Sequence, residues 1–143
     1  MELLSPYLLT VLIAWIVAQG AKYLLVALKQ GRFDHIRQLY LSGNMPSAHS
    51  TTVVALATII GLKEGVDSGL FAVVALLAGI VMYDAVMVRR SSGEQGAAIQ
   101  QLIKEQKSSV PLPRAAKGHT PFEVLVGAAL GGVIGVVVFL ATM

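Results

Sequence analysis

The sequence predicts an all-α protein: an integral membrane four-helix bundle with its polar site at the cytoplasmic ends of the helices. Three observations carry this. Hydrophobic residues make up 55% of the chain against 13% charged, and the mean hydropathy is +0.72, outside the range of a soluble domain. The apolar residues fall into four runs, about 6–28, 46–62, 70–88 and 121–143, near the length that crosses a bilayer. Ten of the eleven Lys and Arg residues lie in or beside the two polar segments 29–45 and 89–120, and only Lys63 falls opposite. Positive-inside bias makes those segments cytoplasmic and puts both termini outside, in a cytoplasmic (inner) membrane. The 143 residues form one transmembrane domain.

The first run, from Pro6 to Leu28, stays apolar until Gln19 and Lys22. Its lead-in, Met1 to Pro6, has neither a basic region nor a small-residue cleavage site, so a retained helix is expected. Residues 29–43 are polar and irregular, with Arg32, Asp34, His35 and Arg37. The second run opens at Pro46 and is slightly short, which sets its first turn just below the headgroups. A tight glycine-containing loop over 63–69 leads to the third run, which ends in Tyr83-Asp84 and then Arg89-Arg90. A helix over 94–107 and a loop punctuated by Pro111 and Pro113 precede the fourth run at Pro121. That run carries Gly127, Gly131 and Gly135 at four-residue spacing. This is a smooth face for close packing within the chain or between protomers, and the second option is a homodimer.

The stretch from Gly43 to Thr52 is a polar turn running straight into an apolar helix. A proline near the helix start, hydroxyl residues in the first turn and the adjacent His49 make either a well-capped helix or an anion site. His119 occupies the matching place before the fourth run. Both helices enter from the same side, so the two imidazoles can meet there; His35 has no such placement and reads as a loop residue. Glu123 lies four residues after His119 and can hold one ring nitrogen. Thr120-Pro121-Phe122-Glu123 is also a capping box, and the two roles are compatible. Asp84 is a carboxylate in an apolar run. Its i+3 and i+4 neighbours are Met87 and Val88, so it is expected to pair across helices, with Lys22 or a histidine. Lys22 either snorkels to the interface or faces that site. Arg89 and Arg90 are a positive stop at a helix end or phosphate ligands, and Arg114 and Lys117 lie in the approach to His119.

The formal charge of +3 is too small to suggest nucleic acid, and the absence of cysteine excludes disulfides and thiolate metal sites. Too few carboxylates and histidines gather for a metal, so neither metal nor cofactor is expected.

Pro46-Ser47-Ala48-His49 resembles the Pro-Ser-Gly-His motif of the type 2 phosphatidic acid phosphatases, whose fold also serves the vanadium haloperoxidases. The segments Gly43 to Ser50, Met82 to Ala85 with Val88 to Arg90, and Gly118 to Val124 more closely resemble the small divergent bacterial and plastid branch of that family, in the same motif order. The resemblance implies metal-independent hydrolysis of a membrane lipid phosphate through a phosphohistidine. His119 would be the nucleophile, Glu123 its orienting acid and His49 the general acid. Lys22, Lys29, Ser47, Arg89 and Arg90 would bind phosphate, with the role of Asp84 open. Candidate substrates are phosphatidate, phosphatidylglycerophosphate or a polyprenyl (di)phosphate. The chain departs from the wider family in having Ala48 for glycine, four runs for six spans, and no Ser-Arg pair at the usual distance before His119; Arg89 or Arg90 would supply that cation. A non-catalytic protein of the same fold, binding an anionic lipid or a partner through its basic face, is the alternative. A small transporter is a weaker one, because no inverted repeat is evident.

Overall fold

The computed structural model describes residues 5–31, 45–113, 115 and 118–143. Its regular structure is helical: α1 (Pro6–Gln30), α2 (Ala48–Glu64), α3 (Gly69–Tyr83), a π turn (Asp84–Val88), α4 (Arg89–Glu105) and α5 (Pro121–Ala141). Local chemistry sets most of the boundaries. Proline occupies the first turn of α1 and of α5, where its missing N–H costs nothing. Ser47, Ser68 and Thr120 cap α2, α3 and α5 by accepting from the N–H groups of Ser50, Phe71 and Glu123. Gly31 closes α1 at φ 62°, a left-handed conformation that suits glycine.

Among the described residues, three stretches are long and apolar enough to cross a membrane: Pro6–Lys29, Gly69–Glu105 and Pro121–Ala141. Large apolar side chains cover their outer faces, among them Leu12, Ile16, Val73, Leu76, Val133 and Val137. Apolar residues on every side of a helix mark burial in protein on one face and lipid on the other. Hydroxyls within the bundle turn back to their own helix: Thr10 donates to the Pro6 carbonyl and Thr58 to that of Val54, each at 2.8 Å.

The 17-residue α2 is the centre of the bundle, packed against α1, α3 and α5. Ala14 of α1, Ala55 and Ile59 of α2, and Ile134 and Val138 of α5 form the buried core. The glycine face of α5 lies against α2. A Cβ added at Gly127 would stand 2.7 Å from the Ser47 carbonyl oxygen, and one at Gly131 2.3 Å from that of Thr51. At Gly135 it would stand 2.8 Å from the Ala55 carbonyl oxygen. Of the two uses open to this face, packing within the chain is the one seen: α2, the central helix, needs a neighbour that lets the backbones touch. At the end of the bundle away from Ser47, the Tyr7 hydroxyl donates to Glu64 and Lys63 Nζ donates to the Thr142 carbonyl at 3.1 Å. These bonds fasten the far end of α2 to α1 and α5.

The sequence reading is corrected between residues 84 and 107. No break separates the third run from the expected helix over 94–107, because neither Gly nor Pro interrupts Ile80 to Ser92. Instead, α3, the π turn and α4 form one helical stretch of 37 residues. At 1.5 Å per residue this is about 55 Å, against roughly 30 Å of hydrocarbon, so α4 reaches well beyond an apolar layer that holds α3. It ends at Glu105; beyond it Lys107 takes φ 49°, and the Lys107 and Ser108 N–H groups donate to the carbonyls of Lys104 and Ile103 at 3.1 Å each. The chain then returns along α4, where Gln100 Nε2 donates to the Pro113 carbonyl at 2.6 Å.

Candidate functional site

The starts of α2 and α5 lie side by side at one end of the bundle. Ser47 N–H donates to the Glu123 carbonyl at 3.4 Å, and Gly127 lets α5 press against Ser47. His119 and His49 are thereby brought to one place. His49 lies within Coulombic range of His119, Arg89, Lys22 and Asp84. Its side chain is exposed, whereas His119 is only 5% exposed.

His119 is held at two points. Its Nδ1 lies 3.2 Å from Glu123 Oε2. The same carboxylate oxygen accepts from Thr120 N–H at 3.0 Å, while Thr120 Oγ1 accepts from Glu123 N–H at 3.3 Å. The capping box and the histidine contact therefore coexist, because the helix start puts the His119 ring and the Thr120 N–H on the same side of the carboxylate. With a proton on Nδ1 directed at Glu123, Nε2 is left as the ring's acceptor.

The second point is the backbone of the π turn. Arg89 N–H donates to the Asp84 carbonyl, five residues back. In α register it would have taken the Ala85 carbonyl, which the π turn leaves without a helical donor. His119 N–H occupies that carbonyl at 3.1 Å. The approach is so close that a Cβ on Gly118 would stand 2.6 Å from both N and Cα of Arg90. Gly118 and the Ala85 carbonyl are parts of the site that sequence reasoning missed. A glycine immediately before the histidine was a legible hint, but residues 80–88 carry no sign of an altered helical register.

The π turn also corrects the expected partner of Asp84. Among the described residues, its ion pair lies within its own helical stretch. Asp84 Oδ2 accepts from Arg89 Nε at 2.7 Å, with both side chains a little over a third exposed. Residues i and i+5 diverge by about 140° around an α-helix, from 3.6 residues per turn. The wider π turn brings them together. Of the two neighbouring arginines, Arg89 stands within Coulombic range of His49. Arg90 pairs with Glu94 on the outer side at 3.2 Å, where both lie with His119 around a cleft of about 420 Å³.

Lys22 is 7% exposed and within Coulombic range of Glu123, so it faces the bundle interior and does not snorkel outward. Lys29 is exposed and borders a cleft of about 200 Å³ with Leu25, Val26, Met45 and Glu123. Ser47 is fully buried. Its hydroxyl accepts from Ser50 N–H at 3.4 Å and from the Ser50 hydroxyl at 3.0 Å, a structural cap. His35, Arg114, Lys117, Gly43 and Asn44 lie outside the described residues. Among the described residues, no three His, Asp or Glu side chains converge as metal ligands would.

The pattern of the Divergent PAP2 family matches residues 3–134. The protein named uncharacterized membrane protein YuiD, of Bacillus subtilis (strain 168), is 38% identical over 147 residues, covering 92% of each chain. No solved structure matches the chain.

Proposed function

The chain belongs to the Divergent PAP2 family, and on that premise we propose that it is a metal-independent phosphatase of membrane lipid phosphates. The observation that carries this reading is the contact of His119 Nδ1 with Glu123 Oε2 beside His49 and a group of cations. The substrate is a phosphomonoester or diphosphate of a lipid: phosphatidate, phosphatidylglycerophosphate or a polyprenyl (di)phosphate. With ten of eleven basic residues on the site's side, the site faces the cytoplasm and the substrate comes from that leaflet.

Glu123 keeps the proton on Nδ1, so the Nε2 lone pair of His119 attacks phosphorus. The bond from phosphorus to the lipid oxygen breaks, and protonated His49 gives its proton to the departing alkoxide. Neutral His49 then takes a proton from water. The hydroxide attacks the phosphohistidine, the N–P bond breaks, and inorganic phosphate leaves with His119 and protonated His49 restored. Arg89, Lys22, Lys29 and Arg90 offset the charge on the transferring phosphoryl oxygens, the principal source of catalysis in such transfers. Ser47 supports this arrangement through the helix it caps.

One observation favours the second reading, anionic-lipid binding without turnover: the Ser47 hydroxyl expected to hold phosphate is buried and already bonded. The two readings separate in a single assay. Purified protein in detergent and chelator is expected to release phosphate from at least one of the three lipid classes. Binding of vanadate or phosphate with no release from any of them would establish the non-catalytic reading.

A further inference from the structure

The π turn between α3 and α4 does two things at once. Its orphaned Ala85 carbonyl receives His119 N–H, and its extra residue places Asp84 beneath Arg89. We propose that Asp84 is a positioning residue: it holds the Arg89 guanidinium by Nε so that the two Nη groups face the anion bound between His49 and His119. The proposal rests on the reading of that cleft as a phosphate site, and it gives Asp84 neither a proton-transfer nor a substrate-binding role.

Geometry carries the argument. A guanidinium has five N–H donors in a fixed plane. The 2.7 Å bond to Asp84 uses Nε, and among the described residues the Nη groups make no hydrogen bond. An arginine fixed in this way presents its Nη donors without the rotamer freedom that a solvated side chain loses on binding. Arg89 is also within Coulombic range of His49, as is Asp84, so the pair stands beside His49, while Arg90 meets Glu94 at the cleft that His119 lines. The cation that the wider family takes from beside its second histidine is here supplied from another helix. The same π turn that supplies it also anchors His119, so the distance between the two is set by one short piece of backbone.

A pair serving only helix stability would act differently. Its loss would weaken folding without a specific effect on anion affinity, and an exposed ion pair contributes little to stability. The test is a double-mutant cycle on vanadate and inorganic phosphate binding by the full chain in detergent, with Asp84→Asn, Arg89→Ala and the combination. Asp84→Asn is nearly isosteric and is expected to leave helix content and thermal unfolding near wild type. Each single variant should weaken anion affinity by about tenfold or more, as expected for a charge-assisted arginine–phosphate contact. The double variant should be no weaker than Arg89→Ala alone, because Asp84 acts only through Arg89. Arg89→Lys keeps the charge without the fork and should recover only part of the affinity.

Additive losses, or wild-type affinity in Asp84→Asn, would overturn the proposal. If the wild-type protein bound neither vanadate nor phosphate, the proposal and the phosphate-site reading would fall together. Coupled anion binding in a protein that turns over no lipid phosphate would reject the enzyme and leave the positioning role standing. Turnover with an additive cycle would do the reverse.

Discussion

His119→Ala is expected to reduce phosphate release by roughly ten-thousand-fold or more, the scale on which loss of a covalent nucleophile acts. The expectation follows from how narrowly the ring is constrained. His119 is 5% exposed, with Nδ1 at Glu123 and its own N–H on the Ala85 carbonyl. The backbone bond survives truncation to alanine. So does the capping box, because Thr120 N–H still donates to Glu123. The variant should therefore fold and bind phosphate with modest loss while failing in turnover. That separation makes the result informative: a defect in kcat at near-normal helix content and anion affinity is the signature of a missing reacting group. Retention of wild-type turnover would remove His119 from the chemistry.

Gly131→Ala is expected to be the most damaging single-methyl addition in the bundle. The new Cβ would stand 2.3 Å from the Thr51 carbonyl oxygen, 3.1 Å from its carbon and 3.0 Å from the Ala55 N, all backbone atoms of α2. A side chain can swing away from such a contact, but a helix backbone can move only as a body. Overpacking a tight interface costs about 1–3 kcal/mol, and this geometry belongs at the upper end. The site shares the cost, because separating α5 from α2 also strains the bond between Ser47 N–H and the Glu123 carbonyl. Gly132→Ala is the control: its Cβ meets nothing within 4 Å, so a change within about 0.5 kcal/mol is expected. Thermal unfolding of both variants in one detergent checks the pair. Equal stability would mean that the glycine face is not packed as described.

The fold was legible wherever one physical signal sufficed. Apolar runs opening at Pro6, Pro46, Leu70 and Pro121 placed α1, α2, α3 and α5 within a few residues of where they lie. The capping box at Thr120 and the four-residue step from His119 to Glu123 were both readable, because each is local to one helix turn. The π turn was not. An extra residue per turn leaves no mark on hydropathy, and Met82 to Val88 reads as ordinary helix. Two features follow from it that the sequence did not show: Asp84 finds Arg89 on its own helical stretch, five residues on, and α4 continues α3 without a break. Ser47 and the glycine face show a different limit. A serine at a helix start and a row of small residues each permit two uses, and only the tertiary arrangement selects the cap and the in-chain contact.

The central claim is that His119 carries the phosphoryl group. The direct measurement is to mix the protein with a lipid phosphate that it hydrolyses, stop the reaction under alkaline conditions that preserve an N–P bond, and map phosphate on the digested chain by mass spectrometry. Phosphate on His119, formed within the first turnover and lost as inorganic phosphate appears, is the predicted result. Steady turnover with His119 unmodified at every time point, or phosphate carried on another residue, would contradict it.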